Sequence, residues 1–156
     1  SRCWMYFPDA DSPFYRVTNF HNYSPNNTAV PGLQRAFMCE TSSSAHKPED
    51  ASTVVERSIR GLADAGLMLP GDEERIVSRF QIDLEYGYPV PTLGRDAALA
   101  EIQPWLESRG VFSRGRFGGF KYETANMDHS VMQGVEWAER MVLGRNETTY
   151  VVEANP

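Results

Sequence analysis

Residues 114 to 130, Arg-Gly-Arg-Phe-Gly-Gly-Phe-Lys-Tyr-Glu-Thr-Ala-Asn-Met-Asp-His-Ser, join an arginine-bearing glycine turn to the start of an amphipathic helix. Those residue types suit a phosphate ligand. Gly115, Gly118 and Gly119 let backbone approach a ligand without a Cβ in the way. Arg116 offers a planar fork to phosphate oxygens, and a helix beginning near Asn126 presents N–H groups that lack partners inside the helix. Tyr88 and Tyr122 are phenolic donors that either reach phosphate oxygens or serve as edge-strand aromatics. Trp4 and Tyr6 either stack on a planar base or sugar or pack into a core.

Other chemistries find no support. His21, His46 and His129 are scattered and lack metal-ligand spacing. No Ser-His-Asp set can be argued, and the chain has no G-x-G-x-x-G, Walker loop or C-x-x-C. Residues 115 to 122, Gly-Arg-Phe-Gly-Gly-Phe-Lys-Tyr, have a passing likeness to the aromatic strand motif of RNA-recognition domains. That motif needs a regular strand, and Gly118-Gly119 breaks one.

A net charge of −6 excludes partners bound through clustered Lys and Arg, namely nucleic acid and anionic membrane surfaces. At 156 residues and 41% hydrophobic, the chain is long and apolar enough for one core. Cys3 and Cys39 do not make a disulfide framework. Whether they pair is left open, and free thiols in a reducing, cytoplasmic compartment are favoured. No signal peptide or long apolar run is present, so the sequons at Asn22, Asn26 and Asn146 read as chance matches. The chain opens Ser-Arg-Cys-Trp without an initiator Met, which suggests a piece of something longer.

The elements that must position these residues are short. Residues 2 to 7, 14 to 20 and 33 to 40 are aromatic and β-branched runs between turn clusters, and alternation puts Trp4 and Tyr6 on one face. Residues 41 to 50 form a polar loop. A helix is predicted from Glu49 to about Leu67, carried by Val54, Val55, Ile59, Leu62 and Leu67 and closed by Gly66 and Pro70. Ile76, Phe80, Ile82, Leu84 and Tyr86 alternate with polar residues and predict a strand with one solvent face. Pro89 and Pro91 end it and bring Tyr86 and Tyr88 to a strand end. A helix over Arg95 to Glu107 crosses Pro104, a short strand covers 111 to 113, and a last helix runs from about Met127 to Leu143. Val131, Val135, Ala138 and Val142 form one stripe of that helix, which Gly144 closes. The class is α+β, a mostly antiparallel sheet with about three helices.

Six ordered motifs together resemble the C-terminal part of a eukaryotic-type UDP-galactopyranose mutase, a flavoenzyme with the amine-oxidase-like FAD fold. They are Cys3-Trp4-Met5-Tyr6-Phe7-Pro8, Pro13-Phe14-Tyr15-Arg16, Asn22-Tyr23-Ser24-Pro25, Tyr86-Gly87-Tyr88-Pro89, Arg114-Gly115-Arg116-Phe117-Gly118, and Lys121-Tyr122-Glu123 with Asn126, Asp128, His129 and Ser130. The resemblance implies reduced FAD as cofactor and a UDP-sugar as substrate, interconverted between pyranose and furanose forms. Arg16 and Arg116 would neutralise the diphosphate and face the sugar as catalytic residues, and Tyr88 and Tyr122 would hydrogen-bond the phosphates. Trp4 and Tyr6 would line the pocket, and Asn126 would touch sugar and flavin. Gly115, Arg116, Asn126, Met127 and Ser130 would lie along the flavin. Met127 stands where an amide-bearing side chain is expected, and its thioether cannot donate that hydrogen bond.

The resemblance also implies a division into residues 1–125, the substrate-binding sheet with surface helices, and 126–156, a helix that closes the flavin domain plus a tail. Without the glycine fingerprint the 156 residues are expected to be inactive alone and to retain no FAD. An apolar patch would then be exposed for self-association or for a missing N-terminal FAD domain. The alternative is a stand-alone nucleotide-sugar or small-ligand binding module without flavin chemistry.

Overall fold

The structure, a computed structural model, describes residues 2–150. It is α+β, with a three-stranded antiparallel sheet and four α-helices among the described residues. The chain divides between Asp83 and Leu84 into two compact units, each described by itself below.

In the first unit β1 (Trp4–Tyr6), β2 (Arg16–Asn19) and β3 (Phe37–Glu40) pair in the order β1-β2-β3. Register places Met5, Val17 and Cys39 side by side, and Tyr6, Arg16 and Glu40 side by side in the adjacent row. Because side chains alternate between faces, the two rows point opposite ways. The Met5 row enters the core, where Phe14, Val17, Leu62 and Met68 are buried and Phe7 meets Phe14 edge-on at 4.9 Å. The Tyr6 row lies on the other face.

Helix α1 (Val54–Asp64) supplies Ile59 and Leu62 to that core. It starts five residues later than its apolar spacing predicts. Asp50 Oδ1 accepts from the Ser52 N–H and hydroxyl, and this side-chain turn takes the place of the first helical turn. The end is as expected: Gly66 has φ +68°, its N–H bonds Ala63 O, and the Leu67 N–H bonds Leu62 O. Cys3 and Cys39 are free thiols, and burial pushes the Cys39 thiol up to about 12.

The strand predicted over 76 to 86 is absent. No ladder partner lies beside it among the described residues, and alternation specifies which way side chains point without specifying a neighbour. Beyond Ile76 neither face of the segment is buried. Arg79 bonds Glu56 and Gln81 bonds the Ala51 carbonyl, while Phe80 is 87% exposed and Ile82 and Leu84 are also exposed. Ile76 alone of the apolar row packs on the core.

The second unit carries α2 (Arg95–Glu107), a one-turn helix α3 (Gly115–Gly118) and α4 (Met127–Leu143). Residues 111 to 113, expected as a strand, have no regular structure. On α4 the inward residues are Gln133, which is buried, and Glu136, Trp137 and Arg140, each of which bonds or stacks on the rest of the unit. Val131, Val135, Ala138 and Val142 are exposed. Arg114 and Arg140 each bond both Glu107 and Glu147, closing a four-membered ring of charge. The Arg140 and Arg114 guanidiniums hold the Glu107 carboxyl below its ordinary range, and Glu147 is lowered chiefly by Arg114.

Two outcomes follow from the packing. A Cβ at Gly61 would lie 2.8 Å from the Pro13 ring and 3.0 Å from Phe14, so Gly61→Ala should destabilise the first unit by about 1–3 kcal/mol in urea unfolding. Burial alone would raise the Glu136 carboxyl, but hydrogen bonds from the Thr148 and Thr149 hydroxyls and amides bring it from 4.5 to about 2. A depressed carboxyl stabilises fully above its unfolded value and loses that contribution as pH falls through the folded one. The gap in unfolding midpoint between wild type and Glu136→Gln should therefore be constant above pH 4.5 and close as pH falls toward about 2.

Candidate functional site

Arg116 lies on α3 in the second unit, with its guanidinium carbon 4.9 Å from the Tyr88 ring and 5.6 Å from the Tyr122 ring. The two rings meet edge-on at 5.6 Å, and Asn126 Oδ1 accepts from Arg116 Nη2 at 3.3 Å. Four residues spread over 39 positions of sequence therefore form one cluster. Its charge sets it apart. The half-buried arginines Arg16, Arg57, Arg95 and Arg114 each pair with a carboxylate, whereas among the described residues none pairs with Arg116. A guanidinium drawn partly out of water without a counter-charge is costly, and ring faces compensate only part of that cost. An anionic ligand would supply what is missing, and the two exposed phenols beside it are of a chemistry that could donate to the same oxygens.

The backbone reaches this arrangement through a left-handed residue at Gly115, φ +80°, which turns the chain into α3. A second reversal follows at Phe120, φ +54°, an unusual conformation for an aromatic residue, and it leads into Tyr122. Gln133 ties these pieces together. It is 1% exposed, its Oε1 accepts from the Gly115 N–H at 2.8 Å, and its Nε2 donates to Thr124 O at 2.7 Å. Gln103, also buried, donates to Gly118 O at 3.1 Å. Neither glutamine is distinguished in the sequence. Gln133 sits beside the valine stripe of α4, and nothing in its neighbours marks it as the inward residue.

The start of α4 adds donors. Asn126 precedes the helix in an extended conformation and does not cap it, so no Asn126 side-chain bond ties down the first-turn N–H groups. Met127 is 84% exposed, and Ser130 is half-buried, 3.8 Å from where a Gly115 Cβ would be.

In the first unit Trp4, Tyr6 and Arg16 share the outer face of the sheet. The Arg16 guanidinium carbon lies 5.3 Å from the Trp4 ring, 5.9 Å from Tyr6 and 5.9 Å from Tyr15. Glu40, which the sequence did not single out, holds it in a fork: Arg16 Nε donates to Oε1 at 2.7 Å and Nη2 to Oε2 at 2.6 Å. A cross-strand partner of this kind has no signature along the chain, because it depends on the register of β2 against β3. Tyr86 is exposed.

The segment 115 to 122 is helix and turn, so the strand required by the RNA-motif likeness is not formed. Among the described residues no cluster of His, Cys, Asp or Glu could hold a metal, and no helix is long and apolar enough to cross a membrane.

No family model matches the chain. Among solved structures, a reduced UDP-galactopyranose mutase matches 96% of this chain at 44% sequence identity with a TM-score of 0.83. The chain spans 31% of the length of that structure.

The role of Gln133 can be measured directly. Gln133→Leu keeps the volume but strands the Gly115 N–H and the Thr124 carbonyl, and denaturant unfolding should show a loss of about 1–3 kcal/mol. Faster amide exchange at Gly115 should accompany it.

Proposed function

We propose, from a chain that folds as the C-terminal portion of a UDP-galactopyranose mutase, that these residues are the substrate- and flavin-contacting part of an enzyme interconverting UDP-galactopyranose and UDP-galactofuranose. The observation that carries the reading is the Arg116 cluster. Its guanidinium has no carboxylate among the described residues, and it is flanked by the two phenols and the asparagine that the resemblance assigns to the nucleotide sugar.

In this reading Arg116 helps to neutralise the diphosphate, with Tyr88 and Tyr122 donating to its oxygens; the resemblance gives Arg16 the same diphosphate-neutralising and sugar-facing role and has Trp4 and Tyr6 line a pocket. The chain's contribution is binding and orientation. The uncapped N–H groups at the start of α4 suit the oxygen-bearing edge of a flavin, with Asn126, Met127 and Ser130 alongside. Reduced FAD, when bound, supplies the nucleophile for the anomeric carbon. The 156 residues include no G-x-G-x-x-G, so the reading places the dinucleotide fingerprint elsewhere and expects nucleotide-sugar binding without turnover from these residues alone. Residues 126–156 are assigned to the closure of the flavin domain, and the exposed valine stripe of α4 is its proposed contact surface.

UDP should raise the thermal midpoint of the 156-residue chain. Arg116→Ala should weaken UDP binding by about 10- to 100-fold in calorimetric titration, the effect of losing a charge-assisted pair. UDP binding unchanged in that variant would remove Arg116 from the site. Stoichiometric flavin absorbance in the purified chain would overturn the assignment of FAD binding to other residues.

A further inference from the structure

We propose that Tyr150 is the positioning residue that holds the one-turn helix α3, and with it Arg116, in the orientation that receives the diphosphate, an assignment that rests on the nucleotide-sugar reading above. Helix α3 cannot hold itself. Its residues Gly115–Gly118 make a single turn, which the Gly119 N–H closes on Gly115 O at 2.8 Å, and a single turn does not offset the cost of ordering its backbone. Glycine at 115, 118 and 119 raises that cost. The orientation of the turn therefore comes from its surroundings. Gln133 and Gln103 hold one backbone group each, at Gly115 and Gly118.

One ring meets both flanks of α3. Just before the helix, the Arg114 guanidinium carbon lies 4.6 Å from the centre of the Tyr150 ring. Just after it, a Cβ at Gly119 would come within 2.8 Å of Tyr150 Cε2 and 3.2 Å of Cδ2, so the ring rests on backbone that glycine leaves bare. Tyr150 is 7% exposed, which leaves almost no surface for a ligand, and its hydroxyl has no hydrogen-bond partner among the described residues. The contact is thus made by the ring and not by the hydroxyl. The chain ahead of Tyr150 is fastened in turn: Glu147 accepts from Arg114 and Arg140, and Glu136 accepts from the Thr148 and Thr149 amides at 2.8 and 2.7 Å. Arg116 stands between the two flanks and meets the Tyr88 and Tyr122 rings and Asn126. Tyr150 therefore acts on phosphate binding through the backbone of α3. All of these residues belong to the second unit.

The test titrates the 156-residue chain with UDP, comparing wild type, Tyr150→Phe, Tyr150→Ala, Gly119→Ala, Arg116→Ala and the double variant Y150A/R116A, at a temperature where circular dichroism shows the variants folded. Tyr150→Phe keeps the ring and should bind UDP within about twofold of wild type, while Tyr150→Ala should weaken binding about tenfold. Adding Tyr150→Ala to Arg116→Ala should cost nothing further, because both changes act on one interaction. Gly119→Ala displaces the ring from the other side of the contact, so it should weaken UDP to a similar degree, and it carries the test if Tyr150→Ala does not fold. In the ligand-free chain, amide relaxation in the NMR spectrum should show Arg116 and Phe117 loosened by Tyr150→Ala and as rigid as wild type in Tyr150→Phe. A purely structural role would lower the unfolding midpoint and leave UDP affinity and these amides unchanged in the folded variant; that result overturns the proposal. A loss in Tyr150→Phe equal to that in Tyr150→Ala assigns the effect to the hydroxyl and overturns it as well. So does an undiminished effect of Tyr150→Ala in the Arg116→Ala background. If wild type binds UDP and Arg116→Ala weakens it while Tyr150→Ala and Gly119→Ala do not, only Tyr150 loses its role. If wild type does not bind UDP, the nucleotide-sugar reading itself falls.

Discussion

A guanidinium drawn out of bulk water has to be compensated, and the ways in which this chain meets that requirement organise both of its units. Arg114 sits between Glu147 and Glu107 with Arg140 closing the ring, and Arg95 bonds Asp96 and Glu123. In these places the charge serves architecture: the ring joins α2, the segment before α3, and the stretch after α4. The carboxylates are lowered and the Arg114 guanidinium raised by their mutual hydrogen bonds, as expected of pairs whose charged forms stabilise each other. Arg116 is compensated differently, by two phenol rings and an amide oxygen. The contrast gives the cluster its functional reading, since a positive charge left over by the fold is available to a ligand.

Both sets of candidate residues stand on backbone that is fixed for other reasons. The three-stranded sheet puts Met5, Val17 and Cys39 into the core, and alternation then presents Tyr6, Arg16 and Glu40 on the opposite face. A one-residue slip would exchange the two rows and bury the charges. In the second unit the buried Gln133 bonds the Gly115 amide and the Thr124 carbonyl, and so sets the spacing between the Arg116 turn and the chain that carries Tyr122 and Asn126.

Exposed apolar surface is the other constant. Phe80, Ile82 and Leu84 face outward where alternation predicted burial, and the valine stripe of α4 is exposed while Gln133, Glu136 and Trp137 face inward. Apolar periodicity reports that a face is built to be covered; it does not say which segment covers it. Over the 31% of the solved mutase that this chain spans, the pattern in the sequence and the burial in the structure therefore diverge at these two places.

Local signals along the chain determined the elements whose physics is local. Helix α2 spans the predicted Arg95–Glu107, α4 runs Met127–Leu143 and ends at left-handed Gly144, and the first three strands fall inside their aromatic and β-branched runs. Residue chemistry marked Arg116 in its glycine turn as a candidate phosphate ligand and left Tyr88 and Tyr122 open between phosphate donors and edge-strand aromatics, while the family resemblance, not local chemistry, added the Asn126 side chain. Tertiary structure alone decided the pairings: Glu40 against Arg16, Gln133 between Gly115 and Thr124, the missing strand at 76 to 86, and the outward valines of α4. Each depends on which distant segment arrives at a given place, through strand register or helix rotation. Such contacts leave no periodicity in the chain, since the energy that selects them comes from groups far apart in sequence that meet only on folding.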